Sequence, residues 1–142
     1  MGTVRRIYVE KKPEFAVAGR ELLQNIRGYL GISGVSGARV LIRYDVENIS
    51  DETYSKTLGT IFSEPPVDLL YEESFPVSED ETAFAVTALP GQFDQRADSA
   101  EQCVRLLNEK EEAAVRSASV YVLSGAISSE ELSRIKSFCI NI

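Results

Sequence analysis

The sequence predicts an α+β fold made of two duplicated ferredoxin-like units, each an antiparallel sheet with two helices, related by a pseudo-twofold axis. Three observations predict it. Residues 7–63 and 84–141 carry the same succession of signals: an apolar strand, a proline, a phenylalanine, an amphipathic stretch, a second strand, then Ile-Ser-x-Glu opening a helix. Local matches hold the two copies in step, Val40-Leu41-Ile42 with Val120-Tyr121-Val122 and Ile49-Ser50-Asp51-Glu52 with Ile127-Ser128-Ser129-Glu130. Strand-like and helix-like segments also alternate along each copy. Self-similarity on this scale marks two copies of one supersecondary unit. A unit so short buries little core alone, so the halves are expected to lean on each other. The first repeat falls at about 3–73, a connector at 74–81 and the second repeat at about 82–142.

Each element has its own justification. Residues 3–10, with Val4, Ile7, Tyr8 and Val9, read as the first strand. Pro13 suits a helix start, where its missing N–H is no loss. Phe15, Ala18, Leu22, Ile26 and Tyr29 or Leu30 then recur at helical spacing, and Gly31, Gly34 and Gly37 are expected to end that helix in a loop. Ala38–Val46 alternates as a strand. Ser50 is a plausible N-cap, with Asp51 and Glu52 favouring the positive end of a helix whose face holds Tyr54, Leu58, Ile61 and Phe62. Pro65-Pro66 stops it. Val67, Leu69 and Tyr71 alternate as a third strand. Thr82–Leu89 opens the second copy, and a loop through Arg96 leads to a helix with Ala100, Cys103, Val104 and Leu107 on one face, Asp98 and Glu101 supplying a candidate capping box. Val115–Ser124 is a strand. Ser128 with Glu131 spells a capping box for a last helix lined by Leu132, Ile135 and Cys139.

Composition narrows the function. The chain has 142 residues, enough for a real core without staples. A net charge of −7 argues against a nucleic-acid or anionic-membrane surface, both of which need clustered cations. No apolar stretch approaches the roughly 20 residues of a membrane span, and the N-terminus reads as a strand rather than a signal peptide. The cytoplasm is the expected compartment. Cys103 and Cys139 are two isolated thiols on apolar helical faces, both expected to be buried and inert. The chain contains no histidine, which removes the usual general base near neutral pH and the commonest metal ligand. Ser-His-Asp and Cys-His catalysis are excluded, and no metal site is expected.

Three segments invite a functional reading. Gly31–Gly37 follows a helix and precedes a strand, the reverse of a phosphate-binding loop, and its spacing fits neither dinucleotide nor P-loop patterns, so it reads as a helix end and turn. The acids Glu72, Glu73, Glu79, Asp80 and Glu81 spell no calcium loop and read as a solvated connector. The segment Pro90–Ser99 differs: it places Gln92, Asp94, Gln95, Arg96, Asp98 and Ser99 within a short reach between a strand and a helix. Loops with that many directional groups often bind something. The plainer alternative is that Asp98 caps the helix and Arg96 pairs with Asp94. No nucleophile–base pair is evident, so catalysis by this loop alone is not expected.

The run Leu89–Ala100, with Phe62-Ser63-Glu64-Pro65-Pro66-Val67-Asp68 and Arg43-Tyr44-Asp45-Val46, resembles the N-terminal region of phosphoribosylformylglycinamidine (FGAM) synthase, the large single-chain PurL type in its clostridial form. The resemblance spans essentially the whole chain. It implies a PurS-like domain, the counterpart of a fused dimer of the small PurS subunit, in a ligase of purine biosynthesis. The parent converts formylglycinamide ribonucleotide, ATP and glutamine to FGAM. ATP and its Mg belong to a synthetase domain, and glutamine to a Cys-His-Glu glutaminase. The resemblance gives this stretch no catalytic residue and no cofactor. It implies a scaffold that docks between those two partner domains and helps shape the ammonia path. It further implies that the chain is part of a longer one, continuing from Ile142 into a strand and a linker domain.

On this reading Gln92, Asp94, Gln95, Arg96, Asp98 and Ser99 form an interdomain docking loop, and Phe93 anchors it in the fold. Two rivals stand beside it. One is a free-standing ferredoxin-like module that senses a small molecule between its halves. The other is a homodimeric adaptor formed through an open sheet edge.

Overall fold

The computed structural model describes residues 3–141. In chain order the elements are β1 (Arg5–Lys11), α1 (Val17–Gln24), β2 (Val35–Glu47), α2 (Asp51–Thr57), β3 (Asp68–Glu72), β4 (Glu81–Thr87), α3 (Gln95–Leu107), β5 (Ala114–Gly125) and α4 (Ser129–Ile140). The class is α+β. The strands form one open sheet in the order β3-β1-β2-β5-β4, and every neighbouring pair is antiparallel. The long central strands, 13 and 12 residues, pair from Val35 opposite Gly125 to Glu47 opposite Ala114 and join the two halves of the chain.

Alternation along the strands decides the two faces of the sheet. On one face two helix pairs bury two clusters. Tyr54 of α2 and Ala97, Ala100 and Val104 of α3 meet Ile7, Val9, Val46 and Val115. Leu22 of α1 and Ile135 and Cys139 of α4 meet Val35, Tyr121 and Leu123. Ile7, Ile26, Leu123 and Ile135 are each fully buried, which stabilises the fold by about 1.5–3 kcal/mol per side chain.

The other face carries Tyr8, Leu41, Val120 and Val122, a third buried cluster with no helix over it. The connector 73–80 covers it, crossing from the β3 edge to the β4 edge. Phe75 packs on Tyr8 with ring centroids 4.7 Å apart, and Arg39 Nη1 donates to Pro76 O at 2.9 Å. Arg39 also donates through Nε and Nη2 to the Glu10 carboxylate, both at 2.8 Å, and through Nη1 to Glu81 at 3.2 Å. Glu73, at the start of the connector, accepts from Arg6 N, and Glu72, at the end of β3, accepts from the Tyr54 hydroxyl, while Glu79 and Asp80 are exposed as expected of a solvated connector.

The helix expected from Pro13 to Leu30 is broken into three. A 3₁₀ turn at Pro13–Phe15 precedes α1, and a π-helical turn at Asn25–Tyr29 follows it. The widened turn contains Gly28, a poor helix former, and the chain leaves it at Gly31 with φ +69°. Phe15 and Tyr29 consequently face solvent rather than the core. Gly37 lies inside β2, at a bulge, and not in a loop. Cys139 is buried as expected, but Cys103 is exposed, because it falls one step off the Ala97-Ala100-Val104 stripe of α3. Among the described residues, no helix is long and apolar enough to cross a membrane.

Candidate functional site

The segment after β4 is shaped by its own residues. Leu89-Pro90-Gly91-Gln92 closes a tight turn: Gln92 N–H donates to Leu89 O at 2.9 Å, with Pro90 in the second place and Gly91 at φ +87° in the third. This is the residue pattern of a type II turn. The Gln92 side chain is used internally, its Oε1 accepting from Leu89 N at 2.6 Å.

Asp94 then starts α3. Its carboxylate accepts from Ala97 N at 3.0 Å as an N-cap, and also from Ser117 N at 2.8 Å and Ser117 Oγ at 2.7 Å. β4 ends at Thr87, opposite Ala118, so the N–H groups of Ser117 and Val115 have no strand beside them. Asp94 serves the first, and Glu101 serves the second at 2.8 Å. Burial acts to raise the Asp94 pKa, but the hydrogen bonds from Ala97 and Ser117, with the nearby Arg96 charge, hold it below the usual carboxylate value. A carboxylate so held is a poor general base for Ser117.

The structure therefore divides the predicted loop. Gln95, Arg96, Asp98 and Ser99 are helical, in the first turns of α3, not in a loop. The cap is Asp94 rather than Asp98, whose carboxylate accepts from Gln102 Nε2 at 2.7 Å, while Glu101 reaches the β5 edge. The sequence offered two acids near one helix start, and only the position of Ser117 selects between them. Phe93 does not anchor the segment: it is 73% exposed, beside Leu89 at 67%. Gln95, Arg96 and Ser99 are exposed and free to meet something else.

Arg96 borders an open cleft of about 370 Å³ on the helix face of the sheet. Its floor is Val40, Ile42 and Tyr44, and Arg96 stands where it meets a second hollow lined by Gln95 and Ser99. Phe62, Ser63 and Asp68 line the same cleft. The Asp68 side chain is 5% exposed; one oxygen accepts from Glu64 N at 2.8 Å, and the other lacks a well-directed hydrogen bond but lies 2.9 Å from the Lys11 ammonium. Among the described residues, no ion pair engages Arg96. Burial raises the Tyr44 pKa, Arg96 opposes that, and Asp68 and Asp94 reinforce it, so Tyr44 presents a neutral phenol. Its ring packs on Phe62 at 4.8 Å.

An apolar floor, a guanidinium outside any ion pair among the described residues, and a phenol make a surface suited to contact. Among the described residues, no group of three or more acidic, cysteine or histidine side chains is arranged to hold a metal ion. Tyr44, Lys11 and Asp68 were not legible as site residues from the residues around them. Tyr44 reads only as one more alternating strand position, and Lys11 and Asp68 meet only because β1 and β3 pair in register. The comparison of this chain with family models, curated proteins and solved structures finds no match.

Proposed function

We propose that the chain is a PurS-like scaffold of a single-chain FGAM synthase, a cytoplasmic domain that holds synthetase and glutaminase domains in place and helps enclose the ammonia path. One observation carries this reading. The three segments that resemble that family lie far apart in sequence, and Tyr44, the Phe62–Asp68 stretch and Arg96 line one cleft. The element order supports it as well: β1-α1-β2-α2-β3 is followed by β4-α3-β5-α4, and the two runs meet at β2–β5, as a duplicated unit with a pseudo-twofold axis requires. The docking contacts are then Gln95, Arg96 and Ser99, with Gln92, Asp94 and Asp98 shaping the support beneath them. ATP and Mg stay with the synthetase partner.

Mixing the purified chain with synthetase and glutaminase domains of that family tests the reading. A stoichiometric complex with coupled use of glutamine is the expected result, weakened by Arg96→Ala while ammonia-dependent activity persists. If the chain binds neither domain, the reading falls.

The cleft favours a second reading, a module that binds a small effector on Arg96 and Tyr44. A thermal-shift screen with purine intermediates, nucleotides and amino acids separates the two, because a ligand that binds the native state raises its stability. A shift lost in Arg96→Ala would support the effector role.

A further inference from the structure

The face of the sheet away from the helices carries a basic hollow of its own. Arg43 and Asp45 follow Leu41 along β2 at alternate positions, and Arg116 precedes Val120 along β5 in the same way, so all three share the face of the third cluster. Asp45 stands opposite Arg6 on one side and Arg116 on the other, with Arg43 diagonal to both. β4 stops at Thr87, opposite Ala118, so no β4 residue pairs with Arg116. The Leu89–Gln92 turn follows the end of that strand. Together they enclose a hollow of about 440 Å³ lined by Arg43, Asp45, Arg116, Leu89, Gln92 and Asp94.

The carboxylates of this hollow are engaged and its guanidiniums are not. Asp45 accepts from Arg6 Nε at 2.7 Å and Arg6 Nη2 at 3.1 Å, and Asp94 holds the three donors already described. The Arg43 side chain is only 20% exposed, yet its one ion pair is a distant 3.9 Å from Nε to Asp45. Among the described residues Arg43 makes no hydrogen bond, and the exposed Arg116 makes neither a hydrogen bond nor an ion pair. Gln92 adds a further donor: Leu89 N–H holds its Oε1, which leaves the amide NH₂ without a partner among the described residues. A largely buried guanidinium with no acceptor is costly unless something supplies one.

We infer that Arg43 and Arg116 form a binding site for the phosphate of a small, soluble phosphomonoester. The inference does not rest on the proposed function. Each guanidinium is a planar fork that suits an oxyanion edge. A phosphomonoester has three terminal oxygens and gives each fork its own edge, whereas a carboxylate has one edge to offer. Its charge of about −1.5 to −2 at pH 7 also matches two cations. The organic part then lies along Leu89, which is 67% exposed, and Pro90. The volume is that of a small-molecule site. A chain of net charge −7 is repelled by an anionic bilayer, which favours a soluble ligand over a lipid headgroup.

Calorimetric titration of the intact chain at pH 7 and low salt tests this with inorganic phosphate, phenyl phosphate and phenylacetate. Phenyl phosphate is expected to bind at one site, more tightly than inorganic phosphate and at least about tenfold more tightly than phenylacetate. Arg43→Met keeps the aliphatic stem, so the urea midpoint is expected to hold or rise while phenyl phosphate binding weakens at least about tenfold. Arg116→Met, at an exposed position, is expected to weaken binding likewise and guards against a folding defect in the first variant. Arg105→Met, exposed on α3, removes the same charge and is expected to leave binding unchanged. Vesicles of phosphatidylcholine and phosphatidic acid are expected to leave the chain in the supernatant on sedimentation. The inference is overturned if neither phosphate binds at millimolar concentration, or if phenylacetate binds as tightly. Binding that survives both Arg43→Met and Arg116→Met also overturns it, as does capture by the vesicles.

Discussion

Asp94 does the work of two groups. It caps α3 and closes the β5 edge where β4 has ended, with three donors on one carboxylate. Asp94→Asn removes the charge from these bonds and is expected to cost about 1–3 kcal/mol by urea unfolding at pH 7. Its depressed pKa sets the pH dependence. The contribution is complete above the ordinary value of 3.8 and is lost as pH falls through the lower folded value. The gap between wild type and variant should therefore close on acidification below about pH 4, and a gap that persists at pH 2 would refute the assignment. The thiols give a second residue-level test. Burial pushes the Cys139 thiol up to about 11, and Cys103 is exposed. An aromatic disulfide reagent should titrate one thiol per native chain rapidly, with Cys139 following only at the rate of unfolding. Both thiols lie on α3 or α4 at near-helical spacing, so the sequence placed both on apolar faces. The difference in burial is a matter of where each helix rolls on the sheet.

Among the elements, the starts of α2 and α4 were the most legible features. Ser50 accepts from Thr53 N at 3.2 Å, and Ser128 accepts from Glu131 N at 3.1 Å while Glu131 reaches back to Ser128 N at 3.0 Å. These bonds span three residues, so they are written in local sequence. Ser128→Ala should cost about 1 kcal/mol, measured as a lowered denaturation midpoint with an unchanged slope. The body of the first helix was not legible, because its shape answers to β2. A Cβ on Gly19 would stand 2.7 Å from Ala38 O, so α1 lies against the backbone of the strand. Gly19→Ala must push the helix away and is expected to destabilise by about 1–3 kcal/mol despite alanine's better helix propensity. Stabilisation instead would show that α1 can lift from β2 without loss.

At the scale of the whole molecule the connector is a structural member. Arg39 ties it to the open face of the sheet, holding Glu10, Glu81 and the Pro76 carbonyl from one guanidinium, and the two carboxylates are only 13% and 9% exposed. The hydrogen bonds that Arg39 donates to Glu10 and Glu81 raise its pKa by more than burial lowers it, so the guanidinium is charged throughout the working range. Arg39→Leu leaves two poorly solvated acids without a counter-charge and is expected to cost about 3 kcal/mol. Hydrogen exchange should then quicken along the central strands as Leu41, Val120 and Val122 lose their cover. Arg39→Lys should recover only part of the loss, because an ammonium lacks the planar fork.

The sequence by itself determined the number, order and kind of the main elements, the capped starts of α2 and α4, and the absence of histidine chemistry. Each depends on residue type and on spacings of two to four positions, which a chain carries wherever it goes. Only the tertiary structure decided that Asp94 rather than Asp98 caps α3, that Phe93 faces water, and that Tyr44 and Arg96 border one cleft with the Lys11–Asp68 pair. Those outcomes turn on which strands pair and in what register. That choice is made by contacts between residues tens of positions apart, whose energies no local pattern records.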